Sequence, residues 1–298
     1  MAEKPKVVIV RAKGVFSGSR PEAARLQAMI IKGLCLLCSQ NEPKEAVGQI
    51  FSPSDRIGIK INTIAGSRLS TPPELALALT SVLNLGGIPE KNMIIWDRTN
   101  RELREAGYPL QTSRDKLKIF GTDSAGAGYE QELYSFRNIG SLFSTIMTNF
   151  VTASISLAVL KDHGIAGITA GMKNYFGAIH NPNKYHDNHC DPFVAELCLC
   201  PPIRSRHRLT ILDALLVQFH KGPSFHPSWA ARYEGLIFGL DPVATDTVGW
   251  RIIEKLRAEK GLPSLREEGR PPAYLETARS LGLGENDPER IQIIEEEV

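Results

Sequence analysis

No stretch of this 298-residue chain approaches the run of about eighteen consecutive apolar residues from which a membrane helix is built. Cysteine is scarce and odd in number, five in all, so a disulfide framework is not expected. A large excess of charge of one sign is missing too. The chain has 35 basic and 33 acidic residues, a net charge of +2, and no long basic run, zinc-finger spacing or RNA-recognition signature, so no nucleic-acid partner is expected. The patterns G-x-x-x-x-G-K-[ST], G-x-G-x-x-G and H-E-x-x-H are absent, as are ferredoxin-type cysteine runs. These absences argue against a phosphate-binding P-loop, a dinucleotide fingerprint, a thermolysin-like zinc site and an internal iron–sulfur cluster. The opening Met1-Ala2-Glu3-Lys4-Pro5-Lys6 has no apolar export region, cleavage site or twin arginine. As written the chain is expected in the cytoplasm, or in the periplasm if an export signal has been removed.

What is present reads as a globular α/β protein. With 42% hydrophobic and 23% charged residues, it can bury a sizeable core. Strand-like runs at Val7–Val10, Arg56–Asn62, Met93–Asp97, Leu117–Phe120, Val151–Leu160, Leu209–Leu215 and Leu236–Leu240 alternate with helical stretches. One helix follows Pro21 and runs toward Cys38. A second opens at Ser70-Thr71-Pro72-Pro73-Glu74 and ends at Gly86-Gly87, with hydroxyl caps and early prolines. A third, from Pro192 to Cys200, is stopped by Pro201-Pro202, and a fourth follows Asp241. A small helix is expected between Pro271 and Leu281, then an acidic, solvated tail. This order predicts a mostly parallel sheet flanked by helices, with its site at the C-terminal ends of the strands. No internal repeat or linker marks a boundary, so residues 1–298 read as a single domain, with division into two lobes left open. Cys35 and Cys38 lie in a leucine-rich helical pattern and read as core.

Chemistry concentrates between Lys161 and Asp191, where four of the seven histidines sit beside three lysines and three aspartates. His163 and the strand that precedes it, the glycine-rich turn to Lys173-Asn174, and the loop carrying His180, His186, His189 and Cys190 form one segment. Histidine suits proton transfer near neutral pH and also metal ligation, so His163, His186 and His189 are candidate ligands for zinc, iron or nickel. Loop histidines are equally often plain surface residues, and no standard metal spacing is present. Closely spaced glycines with Lys173 and Asn174 suit an anion better than a nucleotide phosphate. Cys190 is a weaker candidate as a nucleophile. Strand-end residues Lys60, Asn62, Lys161, Asp97, Asp213 and Asp241 could converge on the same place, although Asp241 and Asp246 also fit as helix caps.

Taken together, Gly58-Ile59-Lys60-Ile61-Asn62, Ser70-Thr71-Pro72-Pro73-Glu74, Leu160-Lys161-Asp162-His163-Gly164, Thr169-Ala170-Gly171-Met172-Lys173-Asn174, Asp213-Ala214-Leu215 and Asp241-Pro242-Val243-Ala244-Thr245-Asp246 resemble the domain-of-unknown-function 362 family over nearly the whole chain. The stretch from Lys173 through Pro192 is most similar to a subgroup whose members often carry an export signal. Many relatives include a ferredoxin-like segment, which this chain lacks. A more distant similarity, through Leu85-Gly86-Gly87-Ile88-Pro89 and the His163-to-Lys173 segment, is to the nickel-pincer lactate racemase family. That similarity implies a metal or cofactor at the same cleft.

The expected function is therefore a metal- or cofactor-dependent enzyme acting on a small, carboxylate-type anion by acid/base or Lewis-acid chemistry. His163, Lys173 and Asp213 are its candidate catalytic residues; Lys60, Asn62, Lys161, Asn174 and Asp241 would bind substrate. The alternative is a carrier that holds such an anion, or a metal ion, without turnover. The expected partner is a small molecule, with a homo-oligomer left open.

Overall fold

The computed structural model describes residues 3–298. Nine strands form its main sheet: β1 (Lys6–Arg11), β2 (Ile57–Lys60), β3 (Met93–Trp96), β4 (Lys118–Ile119), β5 (Ala153–His163), β6 (Gly167–Thr169), β7 (His207–Gln218), β8 (Ala230–Gly239) and β9 (Gln292–Glu297). Their spatial order is β9-β1-β8-β7-β5-β2-β3-β4, with β6 folded back antiparallel on β5. The pairs β9–β1, β7–β5, β5–β2, β2–β3 and β3–β4 are parallel; β1–β8 and β8–β7 are antiparallel. The sheet is thus mostly parallel, as the alternation of elements predicts. Because β8 alone on the main path runs backward, the C-terminal ends of β1, β2, β3, β5 and β7 share one edge.

Helices cover both faces, and the alternation of side chains along each strand divides the core in two. Val8, Val10, Ile57, Ile59, Ile155 and Leu157 pack against α1 (Ala23–Cys38) and α2 (Pro43–Ile50), with α3 (Pro73–Leu85) completing that layer. Val7, Ile9, Trp96, Leu160 and Leu212 face α5 (Phe193–Leu199), α7 (Pro242–Glu259) and α8 (Tyr274–Ser280). Two short helices, α4 (Asn100–Glu105) and α6 (Pro201–Arg204), lie at connections. No helix among the described residues is long and apolar enough to cross a membrane.

Three local expectations change. The acidic tail is not simply solvated: β9 pairs in parallel with β1 along its full length, with Glu296 and Glu297 reaching Lys32 and Lys13. Its partly buried Ile294 is packed on the core, a pattern that three adjacent glutamates obscure in the sequence. Pro201-Pro202 ends one helix but also begins α6, because proline fits the first turn. The central strand β5 runs three residues beyond Leu160 and is buried throughout, so Lys161 and His163 are strand residues rather than loop residues.

Candidate functional site

A cavity of about 380 Å³ opens at the shared strand edge, lined among others by Lys60, Asn62, Asp97, Lys161, His163, Lys173, Asn174 and His186. Three parallel strands deliver the first five of these. The loop after β6 delivers the rest.

The floor is a closed polar frame. Lys60 Nζ donates to Asp97 Oδ1 at 2.7 Å, to the Ile61 carbonyl at 2.7 Å and to Asn174 Oδ1 at 3.2 Å. An ammonium has three donors, and all three are occupied. The other Asp97 oxygen accepts from the Thr63 N–H and hydroxyl at 2.8 and 2.7 Å. Asn174 returns two donors, to the Lys60 carbonyl and to Ser156 Oγ. Lys60 and Asn174 therefore lock β2, β3 and the loop together, and neither has a hydrogen-bond donor to spare for a ligand. Gly177 lies over this frame: a Cβ there would stand 2.6 Å from Lys60 Nζ.

Lys161 and Lys173 differ from Lys60. Lys161 is fully buried, with Asn62 Oδ1 at 2.9 Å and the Leu69 carbonyl at 3.5 Å as its partners. Burial lowers its pKa to about 7; Lys173 adds to the shift, while Asp97 and Asp213 oppose it. Lys173 is also buried. It points at His186 Nε2, 3.1 Å away, and over the Phe176 ring at 4.5 Å, and burial lowers its pKa to about 8. Neither lysine forms an ion pair among the described residues. A desolvated ammonium without a counter-ion is costly, which is why burial draws both pKa values down.

The two imidazoles beside them have assignable tautomers. His163 Nδ1 accepts from the backbone N–H of Ile165 and Ala166, each at 3.2 Å, which leaves the ring proton on Nε2. Burial, reinforced by Lys173 and His186, drives its pKa down to about 2, so the ring is neutral. His186 Nδ1 donates to the Pro182 carbonyl at 3.2 Å, and its Nε2 lone pair faces Lys173. Burial, then Lys173, lowers its pKa as well. The two rings stack with centroids 5.6 Å apart.

The remaining candidates lie elsewhere. His189 is exposed, its Nδ1 turned to the Ile165 carbonyl at 3.0 Å. Among the described residues no group of three or more His, Cys, Asp or Glu is arranged to hold a metal ion, so His163, His186 and His189 do not form a ligand set. Asp241 follows β8, whose reversed direction carries it away from the cavity edge. There it caps α7, accepting from Val243 and Ala244 N–H, and also accepts from Glu285 N–H. Asp213 lies on β7 and lines a separate cavity of about 80 Å³ with Ser70 and Leu215. Burial raises its pKa to about 7, opposed by the Leu215 N–H and by Lys161. It influences Lys161 through the field alone. Cys190 is buried, and burial raises its thiol pKa, which makes it a poor nucleophile.

Several cavity residues carry no sequence signal: Ile64, Ile165, Phe176 and Pro182 are ordinary apolar residues until folded. Arg98 follows the strand-end Asp97, and that position was the available clue. Asp246, read as a cap, instead reaches from α7 to the N–H groups of Gly171 and Met172 at 2.8 and 2.9 Å, fixing the turn before Lys173.

Compared with known proteins, residues 57–251 match the family model described as Domain of unknown function (DUF362). No curated protein matches the chain. Among solved structures, a crystal structure of a Thermotoga maritima protein aligns with a TM-score of 0.43 and 11% identity, covering 83% of this chain and 61% of that one. The chain thus spans less than two thirds of that protein's length.

Proposed function

The chain belongs to this family, Domain of unknown function (DUF362), and from its own residues we propose an enzyme that binds a small carboxylate in the strand-edge cavity and moves a proton on it. One observation carries the reading: Lys161 and Lys173, both buried and both without a carboxylate partner among the described residues, line the same cavity. Lys173, the more basic of the two, holds the substrate anion. Lys161, close to half deprotonated at neutral pH, takes and returns the proton. His163, neutral with its proton on Nε2, supplies a hydrogen bond to the oxygen on which negative charge develops.

The metal-dependent form of this chemistry is less well supported by the donor set. His163 Nδ1 is occupied by two backbone N–H groups, and His186 Nε2 faces an ammonium. The carrier reading uses the same lysines without turnover, and no particular observation favours it over catalysis.

The test is proton exchange. The protein is incubated in heavy water with lactate, pyruvate and related hydroxy and keto acids, and loss of the carbon-bound proton signal is followed by NMR. Exchange on at least one acid, lowered on the order of a hundredfold or more in Lys161→Met, is expected. Lys173→Met should weaken binding of the same acid. Binding without exchange would leave the carrier; exchange unaffected by Lys161→Met would refute the assignment.

A further inference from the structure

We propose that Arg98 is a second anion contact, and that the ligand of the cavity is a dianion whose two charged ends are separated by an apolar spacer. This inference rests on the reading of Lys173 as the first anion contact and of Lys161 as the base beside it.

Arg98 lines the cavity just beyond the end of β3. Its adjacent carboxylate cannot serve it, because Asp97 already accepts from Lys60, from Thr63 and from the Arg98 backbone N–H. No ion pair to Arg98 occurs among the described residues, Glu102 on the same wall included. Its guanidinium sits beside the Tyr129 hydroxyl, but its Nε is buried and has no hydrogen-bond partner among the described residues. A buried guanidinium donor left unpaired is costly, and its forked geometry fits a carboxylate or phosphate oxygen pair.

The position of Arg98 sets the shape of the ligand. In the sheet, β3 lies two strands from β5, roughly 10 Å across, and by the strand register Lys161 stands about three residues further along than the level of Arg98, so the two backbones are more than 10 Å apart. The strand between them contributes Lys60, whose three donors are consumed. The apolar part of the cavity lining is Phe176, Pro182, Ile64 and Ile165. Ile64 and Ile165 remain 57% and 43% exposed, an unfavourable arrangement that an apolar spacer would relieve. Separated cationic groups in a partly apolar cavity match a dicarboxylate or a phosphorylated acid better than a compact monoanion.

The experiment is calorimetric titration of the whole protein with the dicarboxylates from succinate to pimelate, beside monocarboxylates of matched length from butyrate to heptanoate. At least one dicarboxylate should bind about tenfold or more tightly than its monocarboxylate partner. Arg98→Gln should bring that ratio close to one, and Arg98→Lys should restore part of it. Circular dichroism and melting of the variants exclude loss of fold as the cause. A dicarboxylate advantage that is absent, or that survives Arg98→Gln, would overturn the proposal. If monocarboxylates bind and Lys173→Met abolishes that binding, only the second contact has failed. If no carboxylate of either series binds, the reading of the lysines has failed instead.

Discussion

Asp246 Oδ1, on α7, accepts the backbone N–H of Gly171 at 2.8 Å, so a helix on one face of the sheet fixes the turn that aims Lys173. The second oxygen holds Met172, and burial raises the pKa of the acid to about 7 against the pull of those two N–H groups. Asp246→Ala strips both buried donors of their acceptor and should destabilise the protein by about 3 kcal/mol or more; Asp246→Asn, which keeps one acceptor, should cost roughly half as much. Urea unfolding measures both. An alanine variant as stable as the wild type would contradict this role.

The Lys60–Asp97 pair is buried and shares its frame with Asn174. Removing one partner leaves an uncompensated charge, so Lys60→Met and Asp97→Asn should each cost about 3–5 kcal/mol. The double variant should cost clearly less than the sum. Additive losses in a double-mutant cycle would mean that the two do not interact.

Gly222 lies where the loop after β7 crosses β5. A Cβ at that position would stand 1.9 Å from the Asp162 carbonyl oxygen, and backbone cannot move aside as a side chain can. The Gly222 N–H also donates to Asp162 Oδ2 at 2.8 Å. Gly222→Ala should therefore cost about 1–3 kcal/mol or more, with the loop displaced from the cavity edge. A melting temperature equal to that of the wild type would refute it.

Asp213 gives a pH signature. Its folded pKa, about 7, lies above the ordinary 3.8, so it binds protons more tightly in the folded state. Its contribution to stability is complete below the unfolded value and is lost as pH rises through about 7. Asp213→Asn, uncharged throughout, should gain in melting temperature relative to wild type between about pH 4 and about pH 7 and hold that gain above it. A difference that is flat or falls over this interval would show that the carboxyl is not held protonated.

Much of the layout can be read from the chain because its central strands are apolar runs bounded by turns. A short segment rich in lysine and histidine after such a run falls at a strand end, and Lys161, His163, Lys173 and His186 do line one cavity with Lys60 and Asn62. Strand direction is harder to read. Asp241 follows an apolar run just as Asp97 does, yet β8 runs antiparallel and places it at the other edge. Asp213 shows a related limit: its separate cavity depends on where β7 lies beside β5, which is set by long-range pairing. Lys60 reads as a ligand-binding group because the sequence conceals that Asp97, Ile61 and Asn174 consume its donors. Arg98 escapes notice for the opposite reason, since its unpartnered Nε exists only in the folded protein.

Lys161 and Lys173 are both buried in one cavity without a carboxylate partner among the described residues. NMR titration of isotope-labelled lysine side chains, assigned with Lys161→Met and Lys173→Met, reads out that state. Two resonances should titrate near 7 and 8, well below the ordinary 10.5, and both should shift upward when glutarate fills the cavity. Two lysines that titrate near 10.5 and ignore the added carboxylate would contradict the account.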